Sequence, residues 1–354
     1  MKQAARVRLA SLDALRGVTV AAMLLVNNPG DWNHVYAPLL HARWHGLTPT
    51  DLIFPFFLFL VGVSLAFSVA PGAVEAARRP ALTRGVLLRA SRILAAGVVL
   101  HLLAWWLLSL PYFRLWGVLQ RIAVCAALVG LIAVWLRPRA QWSILGVLIA
   151  SHAVLLMGAA SLAPGLDPGS RLDTALFAPW LYQFDAATGR GHDPEGLLST
   201  LGAVATTLLG LRAGDLLRRG CLPALARGGA ALLIGGLLAA GAIPLNKALW
   251  TPSYVAVTAG LATLALLGAH LLVDRHRLPA WGRSFGVNAI TAYLGSSVLA
   301  LVLIASGAWA RLDAALVVLL HDPTRASLAC AVLFVAVWWA IVRALDARGI
   351  HVRI

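Results

Sequence analysis

Imidazole is the side chain best suited to moving a proton or carrying an acyl group near neutral pH. Three of the chain's 10 histidines, His34, His41 and His45, crowd into one polar stretch. Two of them open HARWHGLTPTDLIFPFF, in which Asp51 stands at the edge of a long apolar run. His41 and His45 have the i, i+4 spacing that puts two imidazoles on one helix face for a metal. No glutamate follows the first histidine, and Gly46 and Pro49 oppose a helix there, so no metal is expected. Asp51 has two roles open to it. With Thr48 or Thr50 it can cap the following helix, and its carboxylate can orient a nearby imidazole, as in many acyl-transfer sites. Spacing does not separate the two, and both can hold.

Other polar groups lie at the ends of apolar runs or inside them. Asn27 and Asn28 end the first run, where a carboxamide caps a helix or holds a substrate carbonyl. Asp13 and Arg16 in SLDALRG are three apart and can pair on one helix face or cap its start. Arg121 in GVLQRIAV is set among apolar neighbours, so it needs a partner or a polar cavity and marks a functional site. Asn246 and Lys247 in IPLNKALWTPSY and Asn288 in FGVNAITAYLG add further polar groups, although snorkelling accounts for Lys247 almost as well.

The elements that must position these groups follow from composition. Hydrophobic residues make up 60% of the 354 and charged residues 12%, and the mean hydropathy is +0.83, more apolar surface than a soluble globule can bury. The expected fold is all-α: a polytopic membrane helix bundle of one domain spanning 1–354. At about 20 residues per span, helices fall near 9–28, 51–70, 85–108, 115–136, 141–163, 196–217, 228–244, 253–273, 284–306 and 326–345, about ten transmembrane helices in all. The runs are too continuous for a barrel. The first leads into a polar loop rather than a cleavage site, so the N-terminus is read as a mature segment.

The net charge of +15 comes in short arginine clusters between runs, which fits positive-inside topology better than nucleic acid, and no nucleic-acid partner is expected. Lys2/Arg6/Arg8, Arg78/Arg79/Arg84, Arg137/Arg139, Arg212/Arg218/Arg219/Arg227, Arg275/Arg277/Arg283 and Arg343/Arg348/Arg353 occupy every second connection. That side is expected to be cytoplasmic, with both termini on it. The histidine loop and an acidic loop with Asp167, Asp173, Asp185, Asp193 and Glu195 fall on the other side. Trp180, Tyr182 and Phe184 in that loop read first as an interfacial belt and second as a sugar-stacking surface. Cys125, Cys221 and Cys330 have neither a disulfide framework nor metal spacing.

Taken together and in order, SLDALRGVTVAAMLLVNNPG, the histidine loop joined to GLTPTDLIFPFF, GVLQRIAV, DPEGLLSTLG, PLNKALWTPSY and GVNAITAYLG resemble the heparan-α-glucosaminide N-acetyltransferase family. The likeness runs from about Leu9 to the last span, and the large lumenal domain preceding the membrane core in the animal enzymes is expected to be absent. The resemblance implies transfer of acetyl from cytoplasmic acetyl-CoA to the amine of a glucosamine-type sugar on the far side of a bacterial inner membrane. The family's active-site histidine falls on His41, its polar residue at the end of the preceding span on Asn27, and its span-opening aspartate on Asp51. His45 replaces what is often an asparagine. The amine must be neutral to attack a thioester, so His41 serves as base or as a transient acetyl carrier. Asn27 can donate to the developing oxyanion, and Asp51 can hold the tautomer.

On this reading Asp193, Glu195, His45, Asn246, Lys247 and Asn288 face the sugar. Arg16, Arg89, Arg92, Arg212 and Arg283, with Arg84, are inner-side cations for the polyanionic CoA. Arg121 lies deeper, against pantetheine or pyrophosphate, or paired with a buried carboxylate such as Asp13. Membrane lipid is the other expected partner, and the sequence leaves a homodimer open. Two competing readings remain. A sugar transporter would also line its path with polar groups at span ends, although no inverted repeat is visible. A related membrane acyltransferase of envelope glycans would keep the histidine and change the donor.

Overall fold

The computed structural model describes residues 9–72 and 74–352; the basic residues Lys2, Arg6, Arg8 and Arg353 lie outside them. The long helices are α1 (Ala10–Asn27), α2 (Ile53–Val69), α3 (Arg79–Leu107), α4 (Val118–Trp135), α5 (Pro138–Met157), α7 (Leu197–Arg218), α8 (Leu222–Ala239), α9 (Pro252–Ala269, continued by a π turn to Arg275), α11 (Ala289–Ala305) and α13 (Pro323–Ala347). Short elements join them: α6 (Pro168–Phe177), a hairpin of β1 (Gln183–Asp185) and β2 (Arg190–His192), α10 (Arg283–Val287) and α12 (Ala308–Leu320). Proline stands in the first turn of α3, α5, α6, α8, α9 and α13, where its missing N–H costs nothing.

Among the described residues nine helices are long and apolar enough to cross a membrane. Together α11 and α12 would make a tenth, but they meet at a bend of 80°. The ten expected runs therefore each find a helix. What the apolar pattern missed is α6, the hairpin and α12, which lie between spans and are too short or too polar to carry a span-length signal.

Hydrogen bonds sort the connections into two ends. At one, the Ser11 hydroxyl donates to Asp274 across the start of α1, and Arg283 pairs with Asp346 at 2.8 Å, which joins α10 to the end of α13. Arginines gather at this basic end, where both ends of the described chain also lie. At the other, the Trp309 indole of α12 donates to Pro29 O at 3.0 Å and the Trp44 indole to Leu162 O at 2.8 Å; this is the histidine end.

Helices α2 and α7 approach backbone to backbone. A Cβ on Gly62 or Gly210 would overlap the carbonyl oxygen of Thr207 or Phe59, and one on Gly214 would reach within 2.8 Å of Ala66 Cβ. With apolar lipid outside there is little hydrophobic gain in bringing helices together, so backbone approach through small residues holds the pair. Gly210→Ala is expected to cost about 1–3 kcal/mol and to lower the thermal midpoint in detergent. Gly146→Ala, whose Cβ meets nothing, is expected to leave the midpoint unchanged.

Candidate active site

Thr48-Pro-Thr-Asp51 forms a capping box before α2: the threonine side chain accepts from the Asp51 backbone, and the Asp51 carboxylate accepts from the Thr48 backbone. Asp51 divides its oxygens. Oδ2 accepts from the N–H groups of Ala42 at 3.1 Å and Thr48 at 3.0 Å and from the Thr48 hydroxyl at 3.0 Å. Oδ1 faces His41 Nδ1 at 2.7 Å. The Tyr254 hydroxyl donates to the Asp51 backbone carbonyl at 2.6 Å and ties the turn to α9. Both roles read from the sequence are thus filled by one carboxylate. Its 1% exposure, against 45% for the His41 side chain, makes the histidine the accessible partner. Accepting from Nδ1–H, the carboxylate leaves Nε2 as the lone-pair nitrogen.

Lys247 Nζ lies 3.0 Å from Nε2 and 3.1 Å from Nδ1 of His41. Cε1 stands between those nitrogens, so an atom nearly equidistant from both would overlap the ring if it lay in its plane. Nζ therefore sits over the imidazole face, and the in-plane lone pair of Nε2 stays open. Burial pushes the half-buried ammonium below the ordinary lysine value, against the pull of Glu195 and Asp51. Beside it, Asn246 Nδ2 approaches His45 Nδ1 at 3.2 Å, and its Oδ1 accepts from Leu249 N at 2.8 Å. His41 and His45 do not share a helix and turn to different partners.

A charged cluster adjoins this group. Arg114 donates to Asp193 Oδ1 at 2.7 Å and Oδ2 at 3.1 Å and to Glu195, and its guanidinium stands 4.5 Å from the Tyr182 ring centre. Burial would raise the Glu195 carboxyl, but Arg114, then Arg121 and Lys247, hold it below the usual carboxylate range. Burial would lower the Arg114 value, and Glu195 and Asp193 carry it above the arginine range instead. Arg121, fully buried in the first turns of α4, donates to the Ser199 hydroxyl and to Gly196 O at 3.2 Å and lies 5.0 Å from the Trp250 ring centre. It belongs to the histidine end and is not paired with Asp13, which holds Arg16 at 2.6 Å.

Two spaces flank the cluster. A groove of about 850 Å³ is lined by Tyr112, Tyr182, Phe184, Asp185, Arg114 and His192, among others. It joins the histidine loop through His192, whose ring lies 5.2 Å from Trp44, next to His45. The second, a mainly apolar cavity of about 380 Å³, follows α2 from Val69 to Phe54, with Arg16 and Arg89 in its wall. It spans ~22 Å at 1.5 Å per residue and ends one helical turn from Asp51.

Of the sequence candidates, the structure brings together His41, Asp51 and Lys247, then His45 with Asn246, then Asp193, Glu195 and Arg121. Asn27 is exposed at the end of α1, which packs beside the Asp51 turn. Arg16 and Arg89 meet at the cavity, whereas Arg92 is exposed away from it. Arg212 binds Gln141 at 3.0 Å and Asp215 at 3.1 Å on another flank, and Arg283 holds Asp346. Asn288 is buried next to the cavity residue Ala289, at the basic end and away from His41, and neither amide atom has a partner among the described residues. Sequence reasoning passed over Arg114, Tyr254, Trp44 and His192. Only Arg114 left a signal, as an arginine in a connection otherwise poor in basic residues.

The profile of the family described as heparan-alpha-glucosaminide N-acetyltransferase, catalytic, matches residues 8–184, half of the chain, with His41, Asp51 and Asn27 inside the match. The chain belongs to this N-acetyltransferase family. It is 28% identical to the heparan-alpha-glucosaminide N-acetyltransferase of Homo sapiens over 363 residues, covering 82% of this chain and 53% of that protein. For the Mus musculus protein the values are 28% over 362 residues, 82% and 54%. The chain spans about half the length of the curated relatives it matches. Family membership and the apolar helices together make it a multi-pass membrane protein.

Arg114 neutralises two buried carboxylates, and removing it leaves Asp193 without its ion-pair partner and Glu195 with only Arg121 and Lys247. Arg114→Ala is expected to destabilise the folded protein by ~3–5 kcal/mol, read as loss of the monodisperse species after mild heating in detergent.

Proposed function

We propose that the protein is a transmembrane N-acetyltransferase that takes acetyl from acetyl-CoA at the basic, cytoplasmic end and delivers it to the amine of a glucosamine-type sugar at the opposite, periplasmic end of a bacterial inner membrane. The observation that carries this reading is the state of His41: Nδ1 held by the buried Asp51 carboxylate at 2.7 Å and the in-plane lone pair of Nε2 open, with an apolar cavity ending one helical turn from Asp51 at Phe54. Such a nitrogen attacks a thioester carbonyl and carries the acetyl group until an amine takes it.

Each substrate has a path. The cavity suits a pantetheine arm, apolar along its length, with Arg16 and Arg89 as the cations toward which CoA phosphates are drawn. The groove suits a sugar, since Tyr112, Tyr182 and Phe184 offer ring faces and edges beside Asp185 and His192. Asn27, at the end of the helix packed beside the Asp51 turn, is the candidate donor to the tetrahedral oxyanion.

The test is to mix the detergent-purified protein with labelled acetyl-CoA and glucosamine. Labelled N-acetylglucosamine is expected from the wild type and none from His41→Ala. Full activity in that variant would remove His41 from the chemistry, and no transfer by folded wild type would remove the donor or the acceptor.

Asp51→Asn keeps an acceptor for Nδ1–H but loses the charge that stabilises an imidazolium, and it presents an amide donor to the N–H groups of Ala42 or Thr48. Turnover is expected to fall by ~10²–10⁴-fold with CoA affinity changed little, as read by steady-state kinetics beside isothermal titration. A folded variant with undiminished turnover would instead leave the aspartate with its capping role alone.

A further inference from the structure

The chain uses arginine almost to the exclusion of lysine. Of its 29 basic residues, lysine stands only at positions 2 and 247, and the second lies on the imidazole proposed to carry acetyl. A guanidinium would supply the same charge more firmly and would satisfy positive-inside topology equally well. What a lysine offers and an arginine does not is a nitrogen that can lose its proton and become a nucleophile.

The position of that nitrogen matters as much as its type. An acetyl group on Nε2 is conjugated with the imidazole and lies in the ring plane, so an amine must approach the carbonyl carbon from above or below that plane. Lys247 Nζ stands over the face of the ring, 3.0 Å from Nε2. It therefore occupies the approach that the sugar's amine would take. Burial favours its neutral form, and the Asp51 carboxylate on Nδ1 keeps the acylated ring an imidazolium, the better leaving group.

We propose that Lys247 is an acetyl-accepting site: when no sugar occupies the acceptor position, the acetyl group on His41 passes to Lys247 Nζ, and the resulting amide closes the site. This rests on the acetyl-carrier reading of His41 given above. In the first step the Nε2 lone pair attacks the thioester carbonyl, the carbon–sulfur bond breaks, and CoA leaves as thiolate. The thiolate is balanced by the proton that Lys247 sheds to become neutral. In the second step the nitrogen–carbon bond forms at Nζ, and the carbon–Nε2 bond breaks and returns its electron pair to the ring. The proton lost from the new amide nitrogen passes to Nε2 and on to water. Acetyl-Lys247 has no charge and no lone pair to give, and it covers the face of His41 from which the sugar would react. Donor without acceptor thereby silences the enzyme, and a bound sugar protects it.

The experiment is peptide mass spectrometry of the full chain in detergent after incubation with acetyl-CoA alone, with Lys2 as the internal measure of non-specific acetylation. Acetyl is expected on Lys247 in excess of Lys2 by at least about tenfold, as proximity dictates. It should be suppressed by saturating glucosamine and absent from His41→Ala, and turnover should be lost in proportion to the fraction modified. An unmodified Lys247 in a preparation that acetylates glucosamine would overturn this proposal and leave the proposed function standing. Equal labelling of both lysines, or labelling that survives in His41→Ala, would mean plain chemical acetylation and would overturn it too. Folded protein that acetylates neither sugar nor lysine would overturn both.

Discussion

One buried carboxylate holds the histidine end together. Asp51 ends its turn with three hydrogen bonds to Oδ2 and gives Oδ1 to His41, so the group that starts α2 is also the group that aims the imidazole. This coupling gives a loop histidine the precision of a helix. Residues 40–48 have no regular structure of their own, and a loop side chain would ordinarily sample many rotamers. Here its ring is referred to α2 through Asp51, to α9 through Tyr254 on the Asp51 carbonyl, and to α7 through the glycine contacts that pin α2 against it.

The site thus stands on a helix pair joined backbone to backbone. At the α2–α7 seam backbone meets backbone at Gly62 and Gly210. A seam of this kind has little room to breathe. The cavity, by contrast, lies on the other side of α2, against α3, α4 and α11, where larger side chains leave space. The same helix therefore presents a rigid face to its scaffold and a hollow face to the proposed donor.

The spans were legible in the sequence because each is a long apolar run, whereas spacing left Asp51 between capping a helix and orienting an imidazole, and its pairing with His41 came only from the family resemblance. The connections were less legible. The helix α12 is amphipathic and shorter than a span, and α6 is mostly polar, so neither carries the run that marks a crossing. The arginines divided for a related reason. Positive-inside statistics gather Arg92, Arg212 and Arg283 at one end whatever each one does, and only three-dimensional placement separates Arg16 and Arg89, at the cavity, from Arg212, committed to Asp215 and Gln141. Arg121 was legible as a residue that needs a partner, but not in depth: the partners proved to be Ser199, Gly196 and Trp250 from distant parts of the chain.

Around His41 the carboxylates Asp51, Asp193 and Glu195 are each engaged, with His41 or with Arg114, and Arg121 and Lys247 add their charge to Glu195. A protonated amino sugar entering this set adds a cation where the carboxylates are already committed. The cheapest way to restore balance in a partly buried site is to lose a proton, from the sugar or from Lys247, whose ammonium burial holds below its ordinary value. On the proposed function, entry of the acceptor would be coupled to the deprotonation that makes an amine nucleophilic, and the acid–base step would not have to fall on His41, whose Nε2 would be occupied by acetyl. In that reading the histidine carries and the lysine yields its proton, two tasks that one imidazole cannot perform at once.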